Sequence, residues 1–153
     1  MEYFYKELLS SDTLELKELL KVFALAFDDE NTYQKAVPSD TYIRALLQKQ
    51  HFIALVALSG EKVIGGIAAY ELEKFEQERK EIYIYDLAVL ENYRRKGVAT
   101  GLVEKLKEVA YRRGAYVIYV QADRGDEAAI KLYEKLGTRE DVYHFDIIPK
   151  ILN

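Results

Sequence analysis

The chain has 153 residues, no cysteine, and a net charge of −4 from 22 basic and 26 acidic side chains. Without cysteine there is no disulfide framework, thiolate zinc site or cysteine nucleophile, and with His51 and His144 as the two histidines no metal site is expected. The acidic balance argues against a general nucleic-acid binder, and the longest apolar run, Phe52 to Leu58, is too short to cross a bilayer, so no membrane is expected as a partner.

Half the residues are apolar and 31% are charged, the balance of a soluble domain large enough to fold without covalent or metal staples. The first residues, MEYFYKELL, lack a basic-then-apolar leader pattern, which predicts a cytoplasmic protein. Pro38 and Pro149 are the two prolines, and no Pro/Gly/Ser linker or repeat interrupts the sequence. One domain over residues 1–153 is the expectation.

Residues 2–9 read as a first strand. Ser11 and Asp12 are caps for a helix reaching about Phe27, with Leu16, Leu19, Leu20, Phe23 and Phe27 at helical spacing. Asp28 to Asn31 ends it. Pro38-Ser39-Asp40 opens a second helix carrying Tyr42, Ile43, Leu46 and Leu47. The pattern then changes to strands: Phe52 to Leu58, a turn at Ser59 to Lys62, and Val63 to Leu72. After a charged loop over 73–81, EIYIYDLAV (Glu81 to Val89) is β-branched and aromatic and predicts a central strand. Gly97 to Arg112 predicts a helix ended by Gly114, Tyr116 to Val120 a strand, Asp126 to Leu136 a helix stopped by Gly137, and Tyr143 to Ile148 a last strand. The order is that of a mixed α/β domain, helices packed on a central sheet.

The segment Leu87 to Thr100, LAVLENYRRKGVAT, carries the chemistry. A strand ends, a basic turn follows, and a helix begins. The N–H groups at the start of that helix lack intrahelical partners. With the helix dipole they form an anion site, Gly97 lets the backbone approach closely, and Arg94, Arg95 and Lys96 add positive charge. This suits a pyrophosphate. A solvated basic turn is the alternative on spacing alone. Neither a Walker loop nor the Gly-x-Gly-x-x-Gly of a dinucleotide fold is present.

Arg94-Arg95-Lys96-Gly97-Val98-Ala99 resembles the [Gln/Arg]-x-x-Gly-x-[Gly/Ala] pyrophosphate loop of the GNAT N-acetyltransferase superfamily, and Asp86-Leu87-Ala88-Val89 its fourth strand. DEAAIKLYEKLG, from Asp126 to Gly137, is similar to that superfamily's Asn-x-x-Ala-x-x-Leu-Tyr-x-x-x-Gly helix, with Ala129 and Tyr133 at the matching positions. Residues 74–89, 114–123 and 144–147 (HFDI) look like the type I aminoglycoside 3-N-acetyltransferases, the gentamicin-resistance branch. Ala99 stands where a second glycine is common, and Asp126 where asparagine is.

The resemblance implies a GNAT fold, a mixed sheet splayed between its fourth and fifth strands. It implies acetyl-CoA as donor and a cationic aminoglycoside as acceptor, acetylated at the 3-amino group by direct amine attack. The pantetheine arm would bond backbone groups of Leu87, Ala88 and Val89 like an added strand, and residues 94–100, ending at Val98, Ala99 and Thr100, would hold the pyrophosphate. A backbone N–H at the splay would polarise the thioester carbonyl. Tyr133 would protonate the departing thiolate; a core tyrosine beside Leu132 and Leu136 is the other reading.

The amine must lose a proton before attack, which calls for a carboxylate or a water chain. Glu81, Asp123, Asp126 and Asp146 are the carboxylates considered, with Glu81 and Asp123 foremost. By strand parity Glu81 shares one face with Tyr83, Tyr85 and Leu87. Tyr83, Tyr85, Asp123, Asp126, His144 and Asp146 are the expected substrate-binding residues, although each has a bland reading as sheet filler, cap or solvated charge. Residues 121–146 hold seven acidic and four basic side chains, a modest acidic excess suited to a polycation.

Two other functions fit the same features: a GNAT enzyme for a polyamine or a protein lysine, and a non-catalytic acyl-CoA sensor. The tail from Tyr143 through Phe145, Ile147, Ile148, Ile151 and Leu152 is apolar enough to supply a homodimer surface.

Overall fold

The structure is a computed structural model and describes residues 2–150. The chain divides into two compact units, residues 1–121 and 122–153.

The first unit is built on a five-stranded sheet in the order β1-β2-β3-β4-β5. Its strands are β1 (Phe4–Glu7), β2 (Phe52–Ser59), β3 (Lys62–Glu73), β4 (Lys80–Val89) and β5 (Ala115–Val120). The first four pair antiparallel, and β5 joins β4 in parallel. Helices α1 (Thr13–Ala26), α2 (Glu30–Tyr33), α3 (Asp40–Gln48) and α4 (Val98–Arg113) complete this unit. This is the predicted mixed sheet with flanking helices. The hairpin turn at Gly60, where φ is +61°, also falls where expected.

The continuous apolar run of β2 is explained by helices on both faces. Ile53, Leu55 and Ala57 point toward α4 and pack with Leu102, Leu106 and Val109. Phe52, Ala54 and Val56 point the other way, into a cluster with Leu19, Phe23 and Ile43 of α1 and α3. Contact on that second face is close at Gly66 of β3: a Cβ there would collide with the Leu19 side chain and the Leu55 carbonyl oxygen.

The helix ends follow local chemistry. Ser39 caps α3, its hydroxyl accepting from the Tyr42 N–H at 3.2 Å. Asp12 stands at the N-cap of α1, but its carboxylate accepts from the Leu9 N–H at 2.7 Å and pairs with Lys6 at 2.9 Å instead. The segment expected only to end α1 contains the short helix α2, with Asp29 capping Thr32.

The second unit contains α5 (Glu127–Leu136) followed by a segment without regular structure. The strand expected over Tyr143 to Ile148 is absent. Its alternating pattern sets which way side chains would point, but a strand also needs a ladder partner, and among the described residues this segment pairs with none. Tyr143, Phe145, Ile147 and Ile148 are exposed, and Ile151 and Leu152 lie outside the described residues. Among the described residues no helix is long and apolar enough to cross a membrane, and no cluster of His, Asp or Glu could hold a metal ion.

Candidate active site

The site is organised by two irregularities in β4. The first is where its pairing with β5 stops. The parallel ladder runs from Lys80 opposite Ala115 to Ile84 opposite Val120 and goes no further, while β4 continues to Val89 against β3. From Tyr85 to Val89 the β5 side of the strand is therefore open. Leu90 N–H donates to the Ile64 carbonyl at 2.8 Å. Alternation in an antiparallel ladder then turns the polar groups of Leu87 and Val89 away from β3, into the gap, and those of Ala88 toward β3. Arg94 Nε takes up one of them, donating to the Val89 carbonyl at 3.0 Å. The rest are available to an extended ligand, as an added strand would use them.

The second irregularity is a bulge. Ala68 of β3 lies opposite Asp86 and Ala69 opposite Ile84, which leaves Tyr85 as an extra residue. The extra residue reverses the parity beyond it. Leu87 packs with the α4-side cluster that includes Ile82 and Ile84. Glu81, Tyr83 and Leu87 thus do not share a face, as strict alternation would have it. Asp86, which strict alternation would aim at the α4 core, instead reaches α2 and receives a hydrogen bond from Tyr33 Oη at 2.8 Å.

On this second face the tyrosines form a continuous surface. Tyr83 stacks on Tyr119 with ring centroids 4.7 Å apart, meets Tyr85 at 5.9 Å, and donates from Oη to Gln121 Oε1 at 3.0 Å. Tyr85 in turn meets Tyr70 edge-on at 5.9 Å. Glu81 is already engaged. It pairs with Lys74 at 2.8 Å and accepts from Tyr116 Oη at 2.8 Å, and these two hydrogen bonds hold its carboxyl below the usual range. Asp86 is the opposite case. Burial pushes its carboxyl up, against the Tyr33 hydrogen bond, and among the described residues it has no cationic partner.

Beyond β4, a 3₁₀ turn (Glu91–Tyr93) leads into the basic loop. Lys62 and Lys96 lie 5.6 and 5.8 Å from the Tyr93 ring centroid. Arg95 (φ +60°) and Gly97 (φ +80°) are both left-handed, and Gly97 starts α4 with no side-chain cap and no acidic residue in the first turn. The first-turn N–H groups of Val98, Ala99 and Thr100 have no intrahelical acceptor. The Val98 side chain belongs to the core, so its contribution to an anion site is its backbone. A Cβ at Gly97 would meet nothing within 4 Å, so space is left over the helix end. Open donors, the positive helix end and three basic side chains fit a diphosphate.

In the second unit Asp126 caps α5, accepting from the Ala129 N–H at 3.1 Å. This explains an aspartate where asparagine is common, because either side chain supplies the capping oxygen. Burial first, and the Asp126 carboxylate second, push the Tyr133 hydroxyl up to about 12. The Asp123 carbonyl accepts from the Asp126 N–H at 3.0 Å. His144 Nε2 lies 2.9 Å from Asp146 Oδ1, with both side chains exposed.

Sequence reasoning missed Asp86, Tyr33, Tyr70 and Tyr119 as site residues. For Asp86 a signal was available: it is the one charge within the run from Ile82 to Val89. For Tyr33 there was none, since its partner is 53 positions away.

The model of the acetyltransferase (GNAT) family matches residues 16–138. An aminoglycoside acetyltransferase, HMB0005, from an uncultured soil metagenomic sample is 52% identical, with a TM-score of 0.96 over 98% of this chain and 100% of that one. A second soil metagenomic aminoglycoside acetyltransferase, meta-AAC0020, solved with sisomicin, is 29% identical with a TM-score of 0.90 over 97% of each chain. Among curated proteins, the N-alpha-acetyltransferase 30 of Schizosaccharomyces pombe is 32% identical over 84 residues, 55% of each chain; the chain thus spans about half the length of that relative. The splayed sheet, the basic helix start and the family match agree, and the chain belongs to the GNAT family of acetyl-CoA-dependent N-acetyltransferases.

Proposed function

We propose that residues 1–153 form one aminoglycoside N-acetyltransferase domain, moving the acetyl group of acetyl-CoA to the 3-amino group of a 2-deoxystreptamine antibiotic of the gentamicin type. The observation that carries the reading is the tyrosine surface with a carboxylate, Asp86, that has no cationic partner among the described residues, beside the open edge of β4. Aromatic faces and acidic groups together suit a polycation made of rings. Full-length likeness to an aminoglycoside acetyltransferase supports the same acceptor.

Acetyl-CoA supplies the activated acyl group. The N–H groups at the start of α4, with Arg94, Arg95 and Lys96, hold its diphosphate, and the backbone of Leu87 and Val89 orients the arm. A backbone N–H at the splay hydrogen-bonds the carbonyl oxygen as charge builds on it. Direct attack needs no enzyme nucleophile, and holding both substrates in place supplies proximity. Tyr133 stays neutral at pH 7 with its raised pKa, so its part is to donate a hydrogen bond to the leaving sulfur. Within the second unit, Asp123, Asp126, His144 and Asp146 are the residues proposed to bind the acceptor. We also infer a homodimer that covers the exposed residues Tyr143, Phe145, Ile147 and Ile148.

The test is acetyl-CoA-dependent thiol release with sisomicin, gentamicin, spermidine, a lysine peptide and a free N-terminal peptide, with the acetylated nitrogen located by NMR. Turnover confined to the antibiotics, at N3, is expected. Turnover of spermidine or a peptide alone would keep the chemistry and overturn the acceptor. Tyr133→Phe is expected to slow turnover without raising KM for the antibiotic. Sedimentation of wild type and Phe145→Asp tests the dimer, which fails if both are monomers.

A further inference from the structure

We propose that Tyr70 on β3 is a specificity-determining residue that holds a second ring of the acceptor, beyond the ring that carries the acetylated amine. This rests on the reading of the acceptor as a multi-ring amine, and it adds where the remote ring lies and what binds it.

The register of the sheet leads there. Phe52 of β2 lies opposite Tyr70, Tyr70 opposite Tyr83 of β4, and Tyr83 opposite Tyr119 of β5. Directly opposed residues project from one face of a sheet, so these strands set a row of aromatic side chains across it. The bulge adds another. Tyr85, the extra residue of β4, meets Tyr70 and Tyr83 edge-on, each at 5.9 Å between ring centroids. Phe52 and Tyr70 are 5.4 Å apart. The result is an aromatic band at right angles to the strands. With neighbouring strands about 4.8 Å apart it is about 14 Å wide, more than one saturated six-membered ring can cover.

Tyr70 marks where the helices stop covering this band. Phe52 is buried in the cluster with α1 and α3, Tyr70 is half-buried at its border, and Tyr85 is exposed. The Tyr70 hydroxyl bonds none of the described residues, whereas those of Tyr33, Tyr83 and Tyr116 donate to Asp86, Gln121 and Glu81. Burial pushes the Tyr70 hydroxyl up, and Tyr85, Tyr42 and Asp86 add to the shift. A hydroxyl drawn from water without a partner is costly, and a ligand hydroxyl or ammonium supplies one.

Distance separates Tyr70 from the chemistry. Leu87, whose backbone faces the splay, lies opposite Ile67, three residues along β3 from Tyr70. At about 3.4 Å per residue and 4.8 Å between strands, Tyr70 and Leu87 stand about 11 Å apart. That exceeds the span of one six-membered ring and suits two linked ones. Between them on this face of β3 is Ala68, whose methyl group leaves clearance over the strand. A single ring held at the splay does not reach Tyr70; a ring linked to it does. Aromatic faces and phenol hydroxyls suit a saturated, hydroxylated, cationic ring.

The test compares wild type, Tyr70→Phe and Tyr70→Leu on two acceptors: sisomicin, a 2-deoxystreptamine bearing further rings, and 2-deoxystreptamine alone. The single ring is followed both as substrate and as competitive inhibitor of sisomicin acetylation, and folding is checked by circular dichroism. Tyr70→Phe keeps the ring contacts and loses only the hydroxyl. It is expected to raise KM for sisomicin by about two- to tenfold, the worth of one hydrogen bond, and Tyr70→Leu, which also loses the ring, to raise it further. Contacts to a remote ring are made in ground state and transition state alike, so the effect is expected in KM and not in kcat. For 2-deoxystreptamine the change is expected to stay below about twofold. Tyr70→Phe carries the test if Tyr70→Leu does not fold. Equal losses on the two acceptors, or a loss in kcat with KM unmoved, would overturn the inference. A wild type that acetylates no aminoglycoside overturns the acceptor reading and this inference together; wild-type turnover of sisomicin with KM unmoved in Tyr70→Phe overturns this inference alone.

Discussion

Gly97 and Gly114 bracket α4 with nearly the same backbone, at φ +80° and +77°, and at neither would a Cβ meet an atom within 4 Å. Replacing either by alanine therefore has no steric cost from neighbours, and the whole penalty is that of an L-residue held left-handed. At about 1–2 kcal/mol for that conformation, and about 2–4 °C per kcal/mol for a domain of this size, each variant should unfold about 2–8 °C below wild type. Asparagine, which tolerates this region better, should recover part of the loss at both sites. Function should separate the two glycines. Gly97 stands at the helix start, where the diphosphate is proposed to bind, and Gly114 at the other end of the same helix, about 26 Å away at 1.5 Å per residue. Gly97→Ala is thus expected to raise KM for acetyl-CoA, and Gly114→Ala to leave it unchanged. Thermal unfolding by circular dichroism and initial rates against acetyl-CoA read both effects. Equal stability of Gly97→Ala and wild type would refute the left-handed assignment. Equal KM changes in the two variants would refute the placing of the anion site at the start of α4.

Gly66→Ala must push against the Leu55 carbonyl as well as Leu19, and backbone cannot give way cheaply; a loss of about 3 kcal/mol or more, seen as a lowered urea midpoint or insolubility, is expected. Glu81→Gln should reduce kcat less than tenfold, because Glu81 is held charged by Lys74 and Tyr116; a loss above a hundredfold in steady-state rates would return it to the role of base. Tyr119→Ala removes the ring stacked on Tyr83 and should raise antibiotic KM by about two- to tenfold, the worth of one aromatic contact of about 0.5–1.5 kcal/mol. Burial pushes the Asp12 carboxyl up, but the Leu9 N–H and Lys6 outweigh it and leave it below its ordinary 3.8. Its contribution to stability is therefore present above that value and lost as pH falls through the lowered one. Urea midpoints of wild type and Asp12→Asn should differ at pH 6 and converge in strong acid.

Much of this protein is written in local pattern. The apolar spacing of Leu16, Leu19 and Phe23, the cap at Ser39, the unbroken run of β2 and the glycine-bounded helix α4 each follow from contacts within a few residues. The basic loop before α4 is also local, which is why it and the helix start that follows it were legible in the sequence. Parity along β4 was legible only as far as Ile84. The extra residue at Tyr85 is a property of its pairing with β3, so the sequence of β4 alone predicted the wrong face for Leu87. The same holds for the tail, whose strand-like alternation carries no information about whether a partner strand is present.

The carboxylates divide along the same line. Sequence put Glu81 and Asp123 ahead of Asp126 and Asp146, and spacing could not decide between the first two. Tertiary structure gave Glu81 a lysine and a tyrosine, made Asp126 a helix cap, and placed Asp86 beside Tyr33, 53 residues away, with no cationic partner among the described residues. A carboxylate's readiness to take a proton depends on its burial and on the charges around it. Those are set by distant segments brought together in the fold, whereas helix starts, turns and apolar faces are set by near neighbours in the chain.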